Sequence, residues 1–355
     1  MISELKKIKI LYLVKTMDVG GAERFTLNLA RHIATKGAVI TVASTGGIFV
    51  EGLQKNGIKH IGLKNRPEIN NIIPLAIELL RIIREDNYSI IHCQHRIFIF
   101  ILQFICNRKF ILFYTAHNVF NDLFQKIIFP DVTVAVSQTI KLNLLSTSYI
   151  PENKIKLINN GVEISNNKIP HNNTITIGFF GRLISVKGIF NLLKAVAILS
   201  EDKTDFRLII RGKGETEEII KYINLKKLNS MVKLAEVSDN EETIYHGIDV
   251  LVLPTKMNEG MPISILEAAA RGILVVSTNA GGIGDFIEDE ITGIILKSTE
   301  PEKLALTLKE IICNYDNFAG IIENARIKVK KDFSLDQMIS KYEMLYTESI
   351  SSVSS

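Results

Sequence analysis

Short apolar runs alternate with amphipathic stretches from one end of the chain to the other. The alternation predicts parallel sheets whose two faces are covered by helices, which is the doubly wound α/β class. The apolar runs predict strands at residues 9–14, 39–44, 90–93, 110–115, 132–136, 156–158, 174–180, 207–211, 232–234, 250–254, 274–277 and 293–296. The amphipathic stretches predict helices at residues 22–35, 74–85, 97–107, 188–199, 215–225, 262–271, 301–314 and 336–347.

One segment interrupts this pattern. Residues 159–173, NNGVEISNNKIPHNN, are polar, lack an apolar period and contain a proline, so they predict an interdomain linker. We therefore expect an N-terminal Rossmann-like domain at 1–165 and a C-terminal one at 166–335. Residues 336–355 are expected to form a terminal helix that packs back on the N-terminal domain, with a frayed tail from 348 onward.

Composition narrows the class of protein. Basic residues exceed acidic ones by 42 − 38 = 4, an excess too small to indicate nucleic-acid binding, although it tolerates an anionic ligand. Cys93, Cys106 and Cys313 fit neither a zinc site nor a disulfide framework, and their apolar neighbours predict buried thiols in a reducing compartment. The apolar run at 8–14 is too short for a signal sequence. We expect a cytoplasmic protein.

The segment 97–106, IFIFILQFIC, has two interpretations. It is too short to span a bilayer, which needs about 20 residues. It fits a buried core helix, and it also fits a helix lying at the membrane interface. Arg96, Arg108 and Lys109 flank it and suit both interpretations.

The loop after the first predicted strand, KTMDVGGAE, contains Gly20 and Gly21 where a helix begins. Free backbone N–H groups there could hold a phosphate, but glycines that only form a turn explain the pattern equally well. The loop is not a GxGxxG dinucleotide fingerprint, and it lacks the lysine of a phosphate loop.

A second loop, GRLISVKG, follows the predicted strand at 174–180. Arg182 and Lys187 lie on either side of its turn. Ligands of open α/β sheets bind beyond the carboxyl ends of the strands, where two cations can neutralise a diphosphate. A solvated basic loop is the alternative.

The third loop belongs to the stretch NEGMPISILEAAARG, residues 258–272. Pro262 fits the first turn of a helix, which places Glu259 in the preceding loop and Glu267 on the second helical turn. Gly260 allows a close approach of the backbone, and the N–H groups of Met261 and Ile263 lie near the helix start. This order provides a carboxylate for sugar hydroxyls, donors for phosphate and a carboxylate for a ribose.

Other candidates carry weaker signals. AGGIGD at 280–285 and RGKGE at 211–215 could approach a ligand, but plain turns explain them. His117 follows a predicted strand and could face a ligand, whereas most lone histidines are structural or solvated. The sequence contains neither HExxH nor a Cys/His cluster, so no metal site is expected.

In series, GGAE, TAHN, NGV, GRLxxxKG and EGMPISILEA resemble the motifs of the retaining glycosyltransferases of family 4, which have the GT-B fold. The resemblance covers nearly the whole chain. It implies two Rossmann-like domains that face each other across a cleft. The chain departs from the family pattern at GGIGD, where Asp285 stands in place of a common glutamate, and at Thr255, which is often a serine.

The resemblance assigns roles to residues of this chain. It implies catalytic roles for Glu259 at the donor sugar and for His117 near the reacting sugar. It implies that Glu267 holds the nucleotide ribose. The remaining matched positions are the diphosphate contacts Arg182, Lys187, Gly20 and Gly21, and the donor-binding turn Gly260, Met261, Pro262 and Ile263.

The function implied is transfer of a sugar from a nucleoside-diphosphate sugar, with UDP expected, to an acceptor hydroxyl with retention of configuration. No metal or cofactor is expected, and the sugar nucleotide is the co-substrate. The expected acceptor is a glycan or lipid-linked glycan of a cell-surface polysaccharide, capsule or lipopolysaccharide. The protein is expected in the cytoplasm, with peripheral contact at the inner membrane face, and without a nucleic-acid partner. The alternatives are an epimerase or hydrolase on the same fold, or a non-catalytic protein that binds nucleotide sugars.

Overall fold

The computed structural model describes residues 5–6, 8–105, 108–164, 174–236, 238 and 241–354. The chain divides into two compact units. The first comprises Met1–Asn160 with Asp336–Ser355, and the second comprises Gly161–Leu335. Cys106 and residues 165–173 of the predicted linker, which include the predicted domain boundary, lie outside the described residues.

Each unit contains one parallel β-sheet. The strands are β1 (Lys9–Leu13), β2 (Val39–Ser44), β3 (Lys59–Gly62), β4 (Ile90–Cys93), β5 (Ile111–Ala116), β6 (Val132–Ala135), β7 (Ile155–Leu157), β8 (Ile175–Phe180), β9 (Phe206–Arg211), β10 (Val232–Ala235), β11 (Val250–Leu253), β12 (Leu274–Ser277) and β13 (Ile294–Ile295). The first sheet has the order β3-β2-β1-β4-β5-β6-β7 and the second β10-β9-β8-β11-β12-β13. Both orders are doubly wound, as predicted, and each reverses beside its first strand.

The α-helices follow the strands along the chain. They are α1 (Gly21–Thr35), α2 (Val50–Lys55), α3 (Ile72–Glu85), α4 (Arg96–Leu102), α5 (Gln138–Thr147), α6 (Ile189–Glu201), α7 (Thr216–Leu225), α8 (Glu241–Tyr245), α9 (Ile263–Ala270), α10 (Pro301–Cys313), α11 (Ala319–Asp332) and α12 (Leu335–Ser354). Among the residues described, no helix combines the length and the apolar character needed to cross a membrane.

The inner strands are buried on both faces. Every residue of β8 is buried, and so is every residue of β4 and β11. Strands covered on both faces read as continuous apolar runs, which explains why the apolar pattern predicted them well. By contrast, β3 was not predicted, because its sequence KHIG is half exposed and has no apolar run.

Helix α12 packs on the first sheet through two buried tyrosines. The hydroxyl of Tyr346 lies 2.6 Å from Nδ1 of His92 and 3.1 Å from the hydroxyl of Tyr12. The hydroxyl of Tyr342 lies 3.1 Å from Oγ1 of Thr115, which in turn lies 2.7 Å from Nε2 of His92. The buried polar groups therefore satisfy one another, as burial requires.

The apolar segment 97–106 lies largely in the core. Ile97, Phe98, Ile99, Ile101 and Leu102 are buried in the hydrophobic cluster of the first unit. The helix ends at Leu102, earlier than predicted, and Phe104 beyond it is exposed. The core interpretation therefore holds for the helix itself.

Two local predictions are wrong. The tail predicted to fray from 348 onward is helical through Ser354, and Oγ of Ser349 bonds the carbonyl of Leu345 at 2.7 Å, so the helix satisfies its own serines. Cys313 is exposed at the end of α10, because the buried side of that helix passes through Ile311. Cys93 in β4 is buried, as predicted.

Candidate functional site

The second unit brings three predicted site residues to one edge of its sheet. The loop after β8 contains Arg182 and Lys187, and the loop after β11 contains Glu259. These strands are neighbours, and the strand order reverses between them. Ligands of open α/β sheets bind at such a switch point, beyond the carboxyl ends of the strands.

Lys187 and Glu259 form a buried ion pair between Nζ and Oε1. Their side chains are only 12% and 7% exposed. The hydroxyl of Thr255 donates to the same carboxylate oxygen at 3.0 Å. Burial lowers the pKa of Lys187, and the negative charge of Glu259 opposes this shift. The pair therefore places one cation and one carboxylate in a poorly solvated position at the end of the sheet.

Arg182 lies beside this pair. Its guanidinium is exposed, and Nη2 lies 3.6 Å from the sulfur of Met257. The positive charge of Arg182 contributes to the lowered pKa of Lys187, so the two cations share one electrostatic environment. Two cations at this edge can neutralise a polyphosphate, which is the arrangement that the sequence predicted.

Glycines let the loops of this edge approach closely. A Cβ on Gly188, whose φ is +82°, would lie 2.1 Å from the carbonyl oxygen of Pro254. A Cβ on Gly281, whose φ is +65°, would lie 2.1 Å from the carbonyl oxygen of Glu259. The N–H of Gly282 donates to that carbonyl at 2.8 Å. The AGGIGD segment thus holds the backbone of Glu259, a role that its turn-like sequence did not reveal.

The RGKGE segment has a similar function beside Arg182. A Cβ on Gly212 would lie 1.8 Å from the carbonyl oxygen of Gly181, and one on Gly214 would lie 2.2 Å from that of Leu183. The N–H of Leu183 donates to the carbonyl of Lys213 at 2.9 Å. Both glycines are therefore needed where the loop after β9 packs on the loop after β8.

Helix α9 carries the predicted donor-binding turn and Glu267. Pro262 is the N-cap and the helix begins at Ile263, one residue later than predicted. Gly260, Met261 and Ile263 are buried. The proline lacks an N–H, so its position just before the helix wastes no donor. The turn follows directly after Glu259, as the sequence predicted.

Glu267 is buried on α9 and accepts a hydrogen bond from Tyr245. The phenol oxygen lies 2.7 Å from Oε2 of Glu267. The ring of Tyr245 packs edge-on against Phe180, and the guanidinium of Arg271 lies 4.9 Å from its centroid. Tyr245 thus fixes the carboxylate predicted to hold a ribose. Sequence reasoning missed this tyrosine, because it lies on α8, 22 residues upstream of Glu267.

The first unit contains the remaining predicted residues. Gly20 precedes α1 in an extended conformation, and the carboxylate of Glu23 lies over it, 2.1 Å from the position of an added Cβ. A Cβ on Gly21 would meet no atom within 4 Å among the described residues. The hydroxyl of Thr16 donates to Glu23 at 3.1 Å. The N-terminus of α1 therefore faces a carboxylate of its own chain.

His117 follows β5 at the carboxyl edge of the first sheet. Its Nε2 lies 2.7 Å from Oε1 of Gln94, and its ring packs edge-on against Phe25 with centroids 5.0 Å apart. Burial lowers the pKa of His117. His92 belongs to the buried cluster under α12, and burial, followed by the charge of His117, lowers its pKa to about 3. His117 therefore lies at the sheet edge, whereas His92 lies within the buried cluster.

The described residues contain no cluster of side chains that could hold a metal ion. Over residues 5–6, 8–105, 108–164, 174–236, 238 and 241–354, no three or more His, Cys, Asp or Glu side chains are arranged to hold an ion.

Two units, each with a parallel doubly wound sheet, are the architecture of the GT-B fold, which solved glycosyltransferases share. A glycosyltransferase from Rickettsia africae superposes with a TM-score of 0.76 at 25% identity, over 96% of this chain and 98% of its own. Anabaena HepE, solved in complex with UDP and glucose, superposes with a TM-score of 0.81 at 20% identity, over 95% and 99% of the two chains.

Within that class, the chain belongs to glycosyltransferase family 4. Residues 19–166 match the sequence model described as Glycosyltransferase Family 4. Residues 162–328 match the one described as Glycosyl transferases group 1. Together the two matches run through both units, which confirms the family that the sequence motifs indicated.

Curated relatives agree with this family. The capsular polysaccharide biosynthesis glycosyltransferase CapM of Staphylococcus aureus is 27% identical over 60% of this chain and 60% of its own. The chain thus spans about three fifths of the length of that relative. An uncharacterized glycosyltransferase of Haemophilus influenzae is 23% identical over 96% of this chain and 99% of its own.

Proposed function

We propose that the protein transfers a sugar from a UDP-sugar to a hydroxyl of a growing cell-surface polysaccharide, with retention of configuration and without a metal or other cofactor. The observation that carries this proposal is the buried pair Lys187–Glu259 at the switch point of the second unit, with Arg182 beside it. The site combines cations for a diphosphate with a carboxylate for a sugar. HepE, solved with UDP and glucose, and CapM, named for capsular polysaccharide, support the choice of donor and acceptor.

In this proposal the ribose, the diphosphate and the sugar of the donor each contact the second unit. Glu267, fixed by Tyr245, accepts hydrogen bonds from the ribose hydroxyls. Arg182, Lys187 and the N-terminus of α9 neutralise the diphosphate. Glu259 then faces the hydroxyls of the sugar. In the first unit, Gly20 and Gly21 contribute backbone N–H groups to the phosphates, and His117 contacts the reacting sugar.

The chemical step breaks the bond between the anomeric carbon and the leaving phosphate oxygen. The acceptor oxygen forms its bond to that carbon on the same face, and the leaving phosphate oxygen takes the acceptor proton. Because the acceptor attacks on the face from which the phosphate leaves, no protein carboxylate has to act as nucleophile, and because the phosphate takes the proton, none has to act as base. The two cations and the helix terminus stabilise the charge that develops on the diphosphate.

A calorimetric titration with UDP and several UDP-sugars tests the donor site. Arg182→Ala and Glu267→Ala are expected to weaken UDP binding at least tenfold, because each removes a charged contact. Arg207→Ala is the matched control, since Arg207 is an exposed arginine on β9 paired with Thr176 early in β8, and it is expected to bind normally. Unchanged binding by the first two variants would refute the site.

Product analysis separates the proposal from its rivals. Transfer gives a glycoside whose anomeric configuration, read by NMR, equals that of the donor, and chelator leaves the rate unchanged. A hydrolase would release free sugar without acceptor, an epimerase would return an altered UDP-sugar, and a non-catalytic protein would bind without turnover. An inverted product or a chelator-sensitive rate would overturn the retaining, metal-independent mechanism.

A second proposal, contact with an anionic membrane surface, is favoured by one patch of the first unit. Phe104, Leu123, Ile127, Phe129 and Tyr149 are large apolar side chains exposed by 44% or more. Gln103 joins this region, since its amide donates to the carbonyl of Ile127 and accepts from the N–H of Phe129. Contiguous exposed apolar side chains of this kind are typical of interaction surfaces. Lys126, 5.8 Å from the centroid of Tyr149, adds a positive charge.

Flotation with liposomes tests the membrane proposal. We expect co-flotation with anionic vesicles at low salt, and loss of it in Leu123→Ser/Phe129→Ser. The matched control is Ile69→Ser/Ile73→Ser, which removes two exposed apolar side chains elsewhere in the same unit. A wild-type protein that stays with the soluble fraction would refute the proposal.

A further inference from the structure

Gln94 lies at the switch point of the first unit, and no sequence motif pointed to it. It follows directly after β4, and its N–H donates to the carbonyl of Leu13 at 2.9 Å. Leu13 ends β1, and the strand order of the first sheet reverses between β1 and β4. The residue therefore occupies the same place in the first sheet that the loop of Glu259 occupies in the second.

The side chain of Gln94 is only half satisfied. It is 6% exposed, and its Oε1 lies 2.7 Å from Nε2 of His117. Its Nε2 is buried and has no hydrogen-bond partner among the described residues. Rotating the amide by half a turn would pair the nitrogen with His117 and leave the oxygen alone instead. In buried side-chain amides both the oxygen and the nitrogen normally have hydrogen-bond partners. The N–H groups of Gln94 are therefore available to donate.

The same contact determines the state of His117. With the amide in this orientation its carbonyl oxygen accepts, so Nε2 of His117 carries the hydrogen and Nδ1 keeps its lone pair. Burial lowers the pKa of His117, which keeps the ring neutral near pH 7. An amide N–H, a neutral imidazole and the ring of Phe25 suit an uncharged polyhydroxylated ligand better than a phosphate.

We propose that Gln94 is a specificity-determining residue of this enzyme, which holds His117 in the Nε2–H tautomer and donates its free amide hydrogen to a hydroxyl of the sugar at that edge. The inference rests on the proposed function, since it takes the ligand of His117 to be a sugar. It adds a residue and a hydrogen bond to that site, with a defined donor and acceptor.

Two substitutions distinguish the two proposed roles of Gln94, which are to hold the tautomer of His117 and to donate to a sugar hydroxyl. Gln94→Glu keeps an oxygen that accepts from His117 but has no N–H for the sugar, whereas Gln94→Met loses both. Transfer is expected to fall about tenfold in each, the size of one lost hydrogen bond. UDP binding, whose proposed contacts do not include Gln94, is expected to stay unchanged. The control is Thr133→Val, because the hydroxyl of Thr133 is also buried without a partner but lies within β6.

Two measurements complete the test: nitrogen NMR of His117, which identifies its tautomer, and transfer assays with monodeoxy analogues of the sugar. Wild type and Gln94→Glu should show the Nε2–H tautomer, and Gln94→Met a mixture. One monodeoxy analogue should be about tenfold poorer for wild type and lose nothing further in Gln94→Met. An Nδ1–H tautomer in wild type, or transfer unaffected by Gln94→Met, would overturn the inference. Failure of wild type to bind UDP would instead refute the proposed function.

Discussion

Lys187 and Glu259 come from loops 72 residues apart and neutralise each other in a buried ion pair. Each is therefore the counter-ion of the other. A diphosphate that takes Lys187 as its own partner must therefore compete with Glu259. Under the proposed function, the carboxylate released in this exchange would accept hydrogen bonds from sugar hydroxyls, so the ion pair would couple recognition of the diphosphate to recognition of the sugar.

Glu259→Gln should raise the affinity for UDP and lower transfer. The neutral amide no longer competes for Lys187, so we expect UDP to bind about threefold to tenfold more tightly. The variant loses the charged acceptor for the sugar, and turnover is expected to fall about a hundredfold. Calorimetry and steady-state kinetics measure the two effects. Weaker UDP binding would contradict the competition.

The same pair predicts a pattern in stability. Lys187→Met leaves a buried carboxylate without its cation and should lower the free energy of unfolding by about 3 kcal/mol. Lys187→Met/Glu259→Leu removes both charges and should cost clearly less than the sum of the single changes. Urea denaturation of the wild type, Lys187→Met, Glu259→Leu and the double variant gives the coupling energy. Additive effects would show that the pair contributes no coupling.

The site could be predicted only in part from the sequence. Arg182, Lys187 and Glu259 lie in loops directly after buried strands, and apolar runs reveal such strands. Gln94 and Tyr245 were missed, and Gly281 was named without its role, since each acts through a contact between segments distant in sequence. Their environment is created by the strand order, which places β4 beside β1 and β11 beside β8.

The fold, like the site, could be predicted only in part from the sequence. Doubly buried strands such as β8 are apolar throughout, and the pattern finds them to within a residue. Half-exposed β3 and the continuation of α12 past residue 348 have weak patterns. Tertiary packing determines these elements, because local propensity is only a weak guide there.

Tyr245→Phe should weaken the binding of ribonucleotides selectively. The phenol hydroxyl donates to Glu267 at 2.7 Å, and its loss leaves the carboxylate less firmly held. We expect UDP to bind about tenfold more weakly, while an analogue without ribose hydroxyls binds as before. Tyr315→Phe is the control, since it loses a phenol hydrogen bond to the carbonyl of Asp249 in the same unit. Equal loss for both nucleotides would contradict a role at the ribose.

Gly281→Ala should lower transfer without abolishing folding. The new methyl group would lie 2.1 Å from the carbonyl oxygen of Glu259, at a backbone φ of +65°, so the loop must shift. We expect transfer to fall at least tenfold and the unfolding free energy by about 1–3 kcal/mol. Gly320→Ala on α11 is the control, since its methyl group meets open space. A Gly281→Ala enzyme with normal turnover would show that Glu259 tolerates displacement.

The buried His92 predicts that the protein loses stability in mild acid. Burial, and then the charge of His117, lower the pKa of His92 to about 3, from the ordinary 6.5. Below about pH 6.5 the unfolded chain binds a proton that the folded chain excludes, so the free energy of unfolding falls until about pH 3. Between pH 7 and pH 5 this histidine accounts for about 2 kcal/mol. Above pH 7 it contributes no pH dependence.

His92→Gln removes the titrating group from the cluster under α12 and should make the fall in stability between pH 7 and pH 5 smaller by about 2 kcal/mol, while the fall due to His117, whose pKa burial also lowers to about 3, remains. The matched control is Tyr12→Phe, which loses a hydroxyl 3.1 Å from that of Tyr346 but keeps the imidazole. It should be less stable at every pH and should retain the wild-type slope. Urea denaturation at the two pH values measures both slopes. A wild-type slope in His92→Gln would show that other groups, such as His95, whose pKa burial lowers to about 4, dominate the acid response.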